Sequence, residues 1–140
     1  MSVKVLILKG LPGSGKSAYA KELMDKEKDW VRVSRDNLRD MLYFKDFHWA
    51  KEKMLVRIMK EIIVDLVRIG KNVIVDNTHL DPSHIEIVHD ALVYSGVDTD
   101  VEIKFIDTPL DECIARDSLR SDSVGETVIR KMYEKWLEEK

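Results

Sequence analysis

Four short runs of β-branched and aliphatic residues punctuate the chain: "VKVLIL" (3–8), "WVRVS" (30–34), "NVIVD" (72–76) and "VEIKFID" (101–107). Each has the length of a strand. Three are apolar on both faces, as parallel strands covered by helices on either side are. Between them, apolar residues recur at helical spacing. Leu55, Ile58, Met59, Ile62, Leu66 and Ile69 fall three or four positions apart, and Gly70 then ends the segment. Asp81 and Pro82 read as a cap and a first-turn proline ahead of the stripe Ile85, Val88 and Leu92. Thr108, Pro109 and Asp111 open another helix. Ser123 and Glu126 have capping-box spacing ahead of Val128, Ile129, Met132, Tyr133 and Trp136. Strand and helix thus alternate as βαβαβαβα, which predicts a three-layer α/β/α sandwich on a parallel sheet of about four strands. In such a sheet, ligands gather at the carboxyl ends of the strands.

Composition changes this picture little but excludes several functions. At 140 residues the chain reads as a single domain, 1–140, with enough length to bury a core. Its net charge of -3 argues against a wholly basic surface, so contact with nucleic acid would need a local basic cleft. Cys113 is the single cysteine, which excludes an internal disulfide and a multi-thiolate metal centre. No leader pattern opens the sequence, because Lys4 interrupts the first apolar run. The longest apolar stretch, 54–69, is broken by Arg57, Lys60, Glu61, Asp65 and Arg68. No membrane span and a cytoplasmic location are the expectations.

The first strand leads into Gly10-Leu11-Pro12-Gly13-Ser14-Gly15-Lys16-Ser17, which fits G-x-x-x-x-G-K-[ST] at every fixed position. Glycines at 13 and 15 let the backbone curl until successive N–H groups point at phosphate oxygens. The helix that follows adds its positive end. Lys16 is positioned for the β/γ oxygens and the Ser17 hydroxyl for Mg²⁺. A chain of this length matches the pattern by accident about once in two hundred, and rarely between a buried strand and an amphipathic helix. The loop predicts a P-loop fold that binds ATP or another nucleoside triphosphate.

Such a cradle does not name the acceptor. No guanine-reading N/T-K-x-D motif is present, and the short chain favours a phosphotransferase that closes a lid over ATP. The second strand delivers "SRDNLR", placing Asp36 on the cleft side of the cradle. A carboxylate there can take the proton of an attacking hydroxyl, or it can simply cap a helix. Arg35 and Arg39 flank it, and Arg39 shares its helical face, where it could hold an anionic group of the acceptor. The third strand ends "VIVDNTH", where Asp76 is a partner for Mg²⁺ or a charge that ends a strand. Asn77 and Thr78 could hydrogen-bond the acceptor or form the turn, and His79 reads as a surface residue. Arg116 and Arg120 lie four apart ahead of a polar loop at Ser121–Gly125. They could fold over the triphosphate, or stand solvated on a helix.

The elements "GLPGSGKS", "SRDNLR", "VIVDNTHLDP", "IDTPLDECIARDSLR" and "VGETVIRKMYEKW" together resemble the polynucleotide 5′-hydroxyl kinase domain of bacteriophage and bacterial end-healing enzymes. The resemblance runs over nearly the whole chain. R-D-x-x-R joined to the D-N-T-x-L-x-P segment is far more specific than the P-loop. It implies that Lys16 and Ser17 take the nucleotide and Mg²⁺, and that Asp36 activates a 5′-hydroxyl on DNA or RNA. It also implies that Arg39 holds the neighbouring phosphate, that Asp76 joins the metal network, and that Arg120, with Arg116 second, is the lid arginine. Family members often carry a glycine and a basic residue after the lid arginine; this chain has "RSDSVGE", with Asp122. Larger relatives append a phosphatase with a D-x-D-x-T motif and self-associate. No such motif follows Trp136, so a stand-alone kinase, or a fragment carrying that activity alone, is expected, with a homo-oligomer left open.

Phe44, Phe47 and Trp49 could stack bases, although aromatics at a helix junction are more often core. Trp136, Met132 and Tyr133 read as packing, and Cys113 as an inert buried thiol. His48, His84 and His89 lack metal-ligand spacing. Two rival functions keep the cradle: a P-loop kinase acting on a small alcohol such as a sugar, nucleoside or antibiotic, and a nucleotide-dependent switch that transfers nothing.

Overall fold

The computed structural model of the chain describes residues 2–42 and 48–138; Phe44 and Phe47 lie outside them. The elements run β1 (Val3–Lys9), α1 (Lys16–Lys26), β2 (Trp30–Val33), α2 (Arg35–Met41), α3 (Trp49–Arg68), β3 (Asn72–Asp76), α4 (Pro82–Ser95), β4 (Thr99–Phe105), α5 (Leu110–Ser118) and α6 (Glu126–Trp136). All four strands are parallel, in the order β2-β3-β1-β4. Every carboxyl end therefore emerges at one edge of the sheet, where the cradle follows β1.

Side chains alternate across a strand, and that alternation divides the core. Val5 and Ile7 join Val33, Val73 and Val75 on one face, against Met59, Ile63 and Val67 of α3 and Val88 and Leu92 of α4. Leu6, Leu8 and Ile74 turn to the other face, against Ala20 and the partly buried Tyr19 and Leu23 of α1. With both faces covered, the expected three layers are present. A third cluster of Leu11, Leu80, Cys113 and Ile129 seats α5 and α6 against the loop after β1.

Several details depart from the sequence pattern. Two helices, α2 and α3, connect β2 to β3, because the His48 Nδ1 accepts the Ala50 N–H and starts a second helix. The buried residues of α3 are Leu55, Met59, Ile63, Val64 and Val67, whereas Ile69 is 70% exposed. The apolar stripe is rotated because α3 packs on the sheet and on α4 at once. β4 begins at Thr99 rather than 101. Its polar start pairs with Val3 and Lys4 at the sheet edge, where one side faces water. Asp81 caps α4 as expected, accepting the Ser83 N–H at 2.9 Å. The capping box at Ser123 does not form: α6 begins after Gly125, with no side-chain cap. Among the described residues, no helix is long and apolar enough to cross a membrane.

Candidate active site

The loop after β1 supplies the floor of the site. Gly13 has φ of +80°, and a Cβ there would collide with the Cys113 carbonyl of α5. It is the position where glycine is required twice over, by conformation and by close approach. The Gly10 N–H donates to the Thr78 carbonyl at 3.0 Å, and the Thr108 hydroxyl donates to the Ser14 carbonyl at 2.6 Å. The cradle is thereby tied to the ends of both strands neighbouring β1. Lys16, at the start of α1, curls over the loop and donates from Nζ to the Leu11 and Gly10 carbonyls at 2.9 and 3.1 Å. Burial pulls its ammonium below the ordinary lysine value, and the Asp76 and Asp36 carboxylates push back. Those carboxylates supply the opposing field that a buried cation needs.

At the end of β3, Asp76 is nearly inaccessible, with 4% exposure. Its Oδ2 accepts from the Ser17 hydroxyl at 2.9 Å and from the Arg32 Nε at 2.7 Å. Arg32 also reaches the Ser17 oxygen at 3.2 Å and the Asn37 side-chain oxygen at 3.4 Å. Two hard oxygen donors side by side fit Mg²⁺, which takes one or two protein oxygens and completes its shell with water and phosphate. Among the described residues there is no group of three or more acidic, His or Cys side chains placed to hold a metal ion.

Asp36 enters from the first turn of α2. The N-cap of that helix is Ser34, whose hydroxyl accepts the Asn37 N–H at 3.4 Å. The cap role open to Asp36 in the sequence is therefore taken by another residue. With its side chain 75% exposed, Asp36 lines a cleft of about 100 Å³ together with Lys16, Ser17, Asp76 and Arg120. Arg39 donates to its Oδ1 at 2.6 Å. The same guanidinium holds both oxygens of Glu52, at 2.7 and 2.8 Å. Burial alone would lower the Arg39 pKa, but Glu52 and Asp36 outweigh it and hold it above the ordinary arginine value.

Behind Arg39 a second cavity of about 510 Å³ opens between Arg35, Trp49, Glu52 and His84. The Arg35 N–H donates to the Asn77 side-chain oxygen at 2.9 Å. Burial draws the Arg35 guanidinium below its ordinary value, with Glu52 opposing the shift. Asn77, at 8% exposure, thus braces β3 to α2, while Thr78 lines the cleft.

On the opposite side, Arg116 donates to the Ser14 carbonyl at 3.3 Å and pairs with Glu112 at 2.5 Å. It lines a wide opening of about 590 Å³ with Gly13, Gly15, Lys16, Ser17 and Arg120. Arg120 borders both this opening and the cleft. Its Nε stands 3.5 Å from Asp122, so the departure from the family's basic residue at that position gives the arginine an acidic neighbour. The loop carrying both is clasped by Asp117, buried at 1% exposure, whose two oxygens accept the Val124 and Gly125 N–H groups at 3.0 and 2.9 Å.

His79, expected at the surface, is 1% exposed. Its ring reaches back across the sheet and donates from Nδ1 to the Leu8 carbonyl, leaving Nε2 without a partner among the described residues. Trp49, expected in a core, is 68% exposed. Cys113 is buried as expected, and burial raises its thiol pKa. Arg32, Glu52 and Asp117 were not singled out in the sequence. For Arg32 the available signal was a charge in the middle of an otherwise apolar strand.

The AAA domain family model matches residues 5–138. A protein of Autographa californica nuclear polyhedrosis virus named "Putative bifunctional polynucleotide kinase/RNA ligase" is 25% identical over 152 residues, covering 97% of this chain and 21% of that protein. A chain in the structure of the Pnkp1/Rnl/Hen1 RNA repair complex is 28% identical with a TM-score of 0.77, covering 96% of this chain and 44% of that one. The Mycobacterium tuberculosis APS kinase CysC, in complex with AMPPNP and APS, is 27% identical with a TM-score of 0.65, covering 84% of this chain and 70% of that one. The chain spans about a fifth of the viral protein and under half of the repair-complex chain. With the match running over nearly its whole length, the chain belongs to the AAA domain family, and it shares its fold with the APS kinase it resembles.

Proposed function

We propose that the chain transfers the γ-phosphoryl group of ATP to the 5′-hydroxyl end of DNA or RNA. One observation carries this reading: Asp36, Lys16, Ser17, Asp76 and Arg120 line a single cleft, and a cavity bearing Arg35 and Arg39 opens behind it. That is the order a donor phosphate, a base and an anionic acceptor require.

In this reading, Asp36 takes the proton of the 5′-hydroxyl as its oxygen attacks the γ-phosphorus. The new O–P bond forms in line with the breaking bond to the β-bridging oxygen, and ADP leaves. Lys16 stabilises charge on the β/γ oxygens, and Arg120, with Arg116 beside it, closes from the α5–α6 loop. Ser17 and Asp76 would hold Mg²⁺, which when bound neutralises phosphate charge. Arg39 orients Asp36 and offers the remaining N–H of its Nη1 to the acceptor phosphate. Supporting this assignment are the relatives whose names include polynucleotide kinase and RNA repair.

A second reading, transfer to a small alcohol such as a sugar or nucleoside, is favoured by the likeness to an APS kinase and by the commitment of Arg39 to Glu52, which leaves less of its charge for an acceptor phosphate. Incubation with labelled ATP, Mg²⁺ and a panel of 5′-hydroxyl oligodeoxy- and oligoribonucleotides, nucleosides and sugars decides between them. Label on the oligonucleotides is the expected outcome. Label confined to small alcohols would establish the second reading.

A further inference from the structure

The cavity behind Arg39 does not end at the cleft. It shares Lys53 and Val56 with a groove of about 750 Å³ between α3 and α4, so the two adjoin along α3. Trp49 stands at the near end, its ring exposed and the Lys53 Nζ 5.1 Å from its centroid. Lys53, Arg57 and Lys60 follow at i, i+4 and i+7, on one face of the helix.

Among the described residues, the side chains of Arg35, Arg57 and Lys60 make no hydrogen bond or ion pair, and Lys53 contacts only the Trp49 ring. Unpaired cations lined up in one groove cost stability through mutual repulsion, and they are set to receive a chain of anions. From Arg35 to Lys60 the two cavities are lined by Arg35, Arg39, Lys53, Arg57 and Lys60 against Glu52, with Asp36 held by Arg39 from the cleft side, in a chain whose net charge is -3. Asp90 of α4 lines the same groove, and along α3 the balance changes after Lys60, where Glu61 and Asp65 follow and Arg68 is spent on the Ser95 carbonyl at 3.2 Å and the Tyr94 ring.

We propose that this groove carries a single-stranded polynucleotide away from its acceptor hydroxyl, with Trp49 stacking a base and Lys53, Arg57 and Lys60 receiving successive phosphates. The inference rests on the 5′-hydroxyl reading above and adds the path and length of the substrate. Trp49 to Lys60 spans about 17 Å of helix, the length of about five stacked nucleotides at 3.4 Å each. Glu61 and Asp65, which follow Lys60 on α3, end the attraction there.

The test is the dependence of KM on acceptor length, using nucleoside 3′-phosphates and 5′-hydroxyl oligomers of 2, 4, 6 and 10 nucleotides in DNA and RNA series. KM is expected to fall until about five nucleotides and then level off in at least one series. In the doubly substituted Arg57→Glu/Lys60→Glu chain, KM for the decamer should rise at least about tenfold, and the slope of log KM against log salt should fall by about 1.4, or 0.7 per lost phosphate contact. The KM for the nucleoside 3′-phosphate should change less than about twofold, since neither residue borders the cavity behind Arg39. Anisotropy of a decamer labelled at its 3′ end should report the same loss of binding without ATP. A KM indifferent to length, or a decamer KM unmoved in the variant, overturns the groove and leaves the 5′-hydroxyl reading intact. Failure to label any nucleotide acceptor overturns both.

Discussion

At the scale of single residues, Asp36 and His79 show how differently two polar side chains can be used within one site. Asp36 is held by Arg39 yet left open to the cleft, the condition a proton acceptor needs if an alcohol is to reach it. With Asp36 as the proposed base, Asp36→Asn keeps the shape and removes the proton acceptor, so turnover should fall at least about a hundredfold while ATP affinity stays nearly unchanged. Single-turnover rates and nucleotide titration check both halves. His79 is used as a neutral strut. Burial, opposed by its bond to Leu8 and aided by the nearby Arg35, depresses its pKa from 6.5 to about 4. The unfolded chain therefore takes up a proton below about pH 6.5 that the folded chain refuses until about pH 4. Stability from this group is present above pH 6.5 and is lost as pH falls, by about 2 kcal/mol at pH 5. Urea midpoints at pH 7 and pH 5 measure it. His79→Asn, which tolerates the left-handed φ of +50°, should flatten that difference by a comparable amount.

At the scale of elements, the segment joining α5 to α6 is shaped by a contact rather than by its own residues. Asp117 sits at the end of α5 and accepts the two N–H groups that precede α6. This closes the loop bearing Arg120 and substitutes for the capping box that Ser123 and Glu126 do not form. In Asp117→Asn the new amide NH₂ faces one of those N–H groups, and a buried donor loses its acceptor at a cost of about 1–3 kcal/mol. A lower melting temperature, together with a fall in kcat exceeding the change in oligonucleotide KM, is the expected pair of effects. Equal kcat in the variant would separate the clasp from the lid. The elements themselves were legible in advance. Strand positions followed from apolar runs, and the α4 cap from Asp81-Pro82. The rotated stripe of α3 was not legible, because its burial depends on packing against the sheet and α4 together.

At the scale of the whole molecule, the strand order β2-β3-β1-β4 places the ends of three strands around one phosphate cradle. Nucleotide binding should therefore stabilise the entire fold. At a ligand concentration 100 times Kd, linkage predicts about 2.7 kcal/mol, a rise in Tm of about 8 °C for a chain of this size. Lys16→Met should abolish most of that rise while the unliganded chain still melts cooperatively. A Tm insensitive to ATP in the parent chain would contradict the cradle assignment.

The residue pattern was sufficient for the cradle, the parallel sheet and the placing of Asp36 at the helix start after β2 and of Asp76 at the end of β3, since each depends on spacing within one turn, strand or helix start. Tertiary packing alone placed Arg32 on Asp76, 44 positions away, Arg39 on Glu52, His79 under β1 and Trp49 in the open. Short-range geometry is encoded in neighbouring residues through backbone torsions and periodicity. Which distant side chains meet is decided by strand order and by how helices seat on the sheet, and those arise from the summed packing of the core.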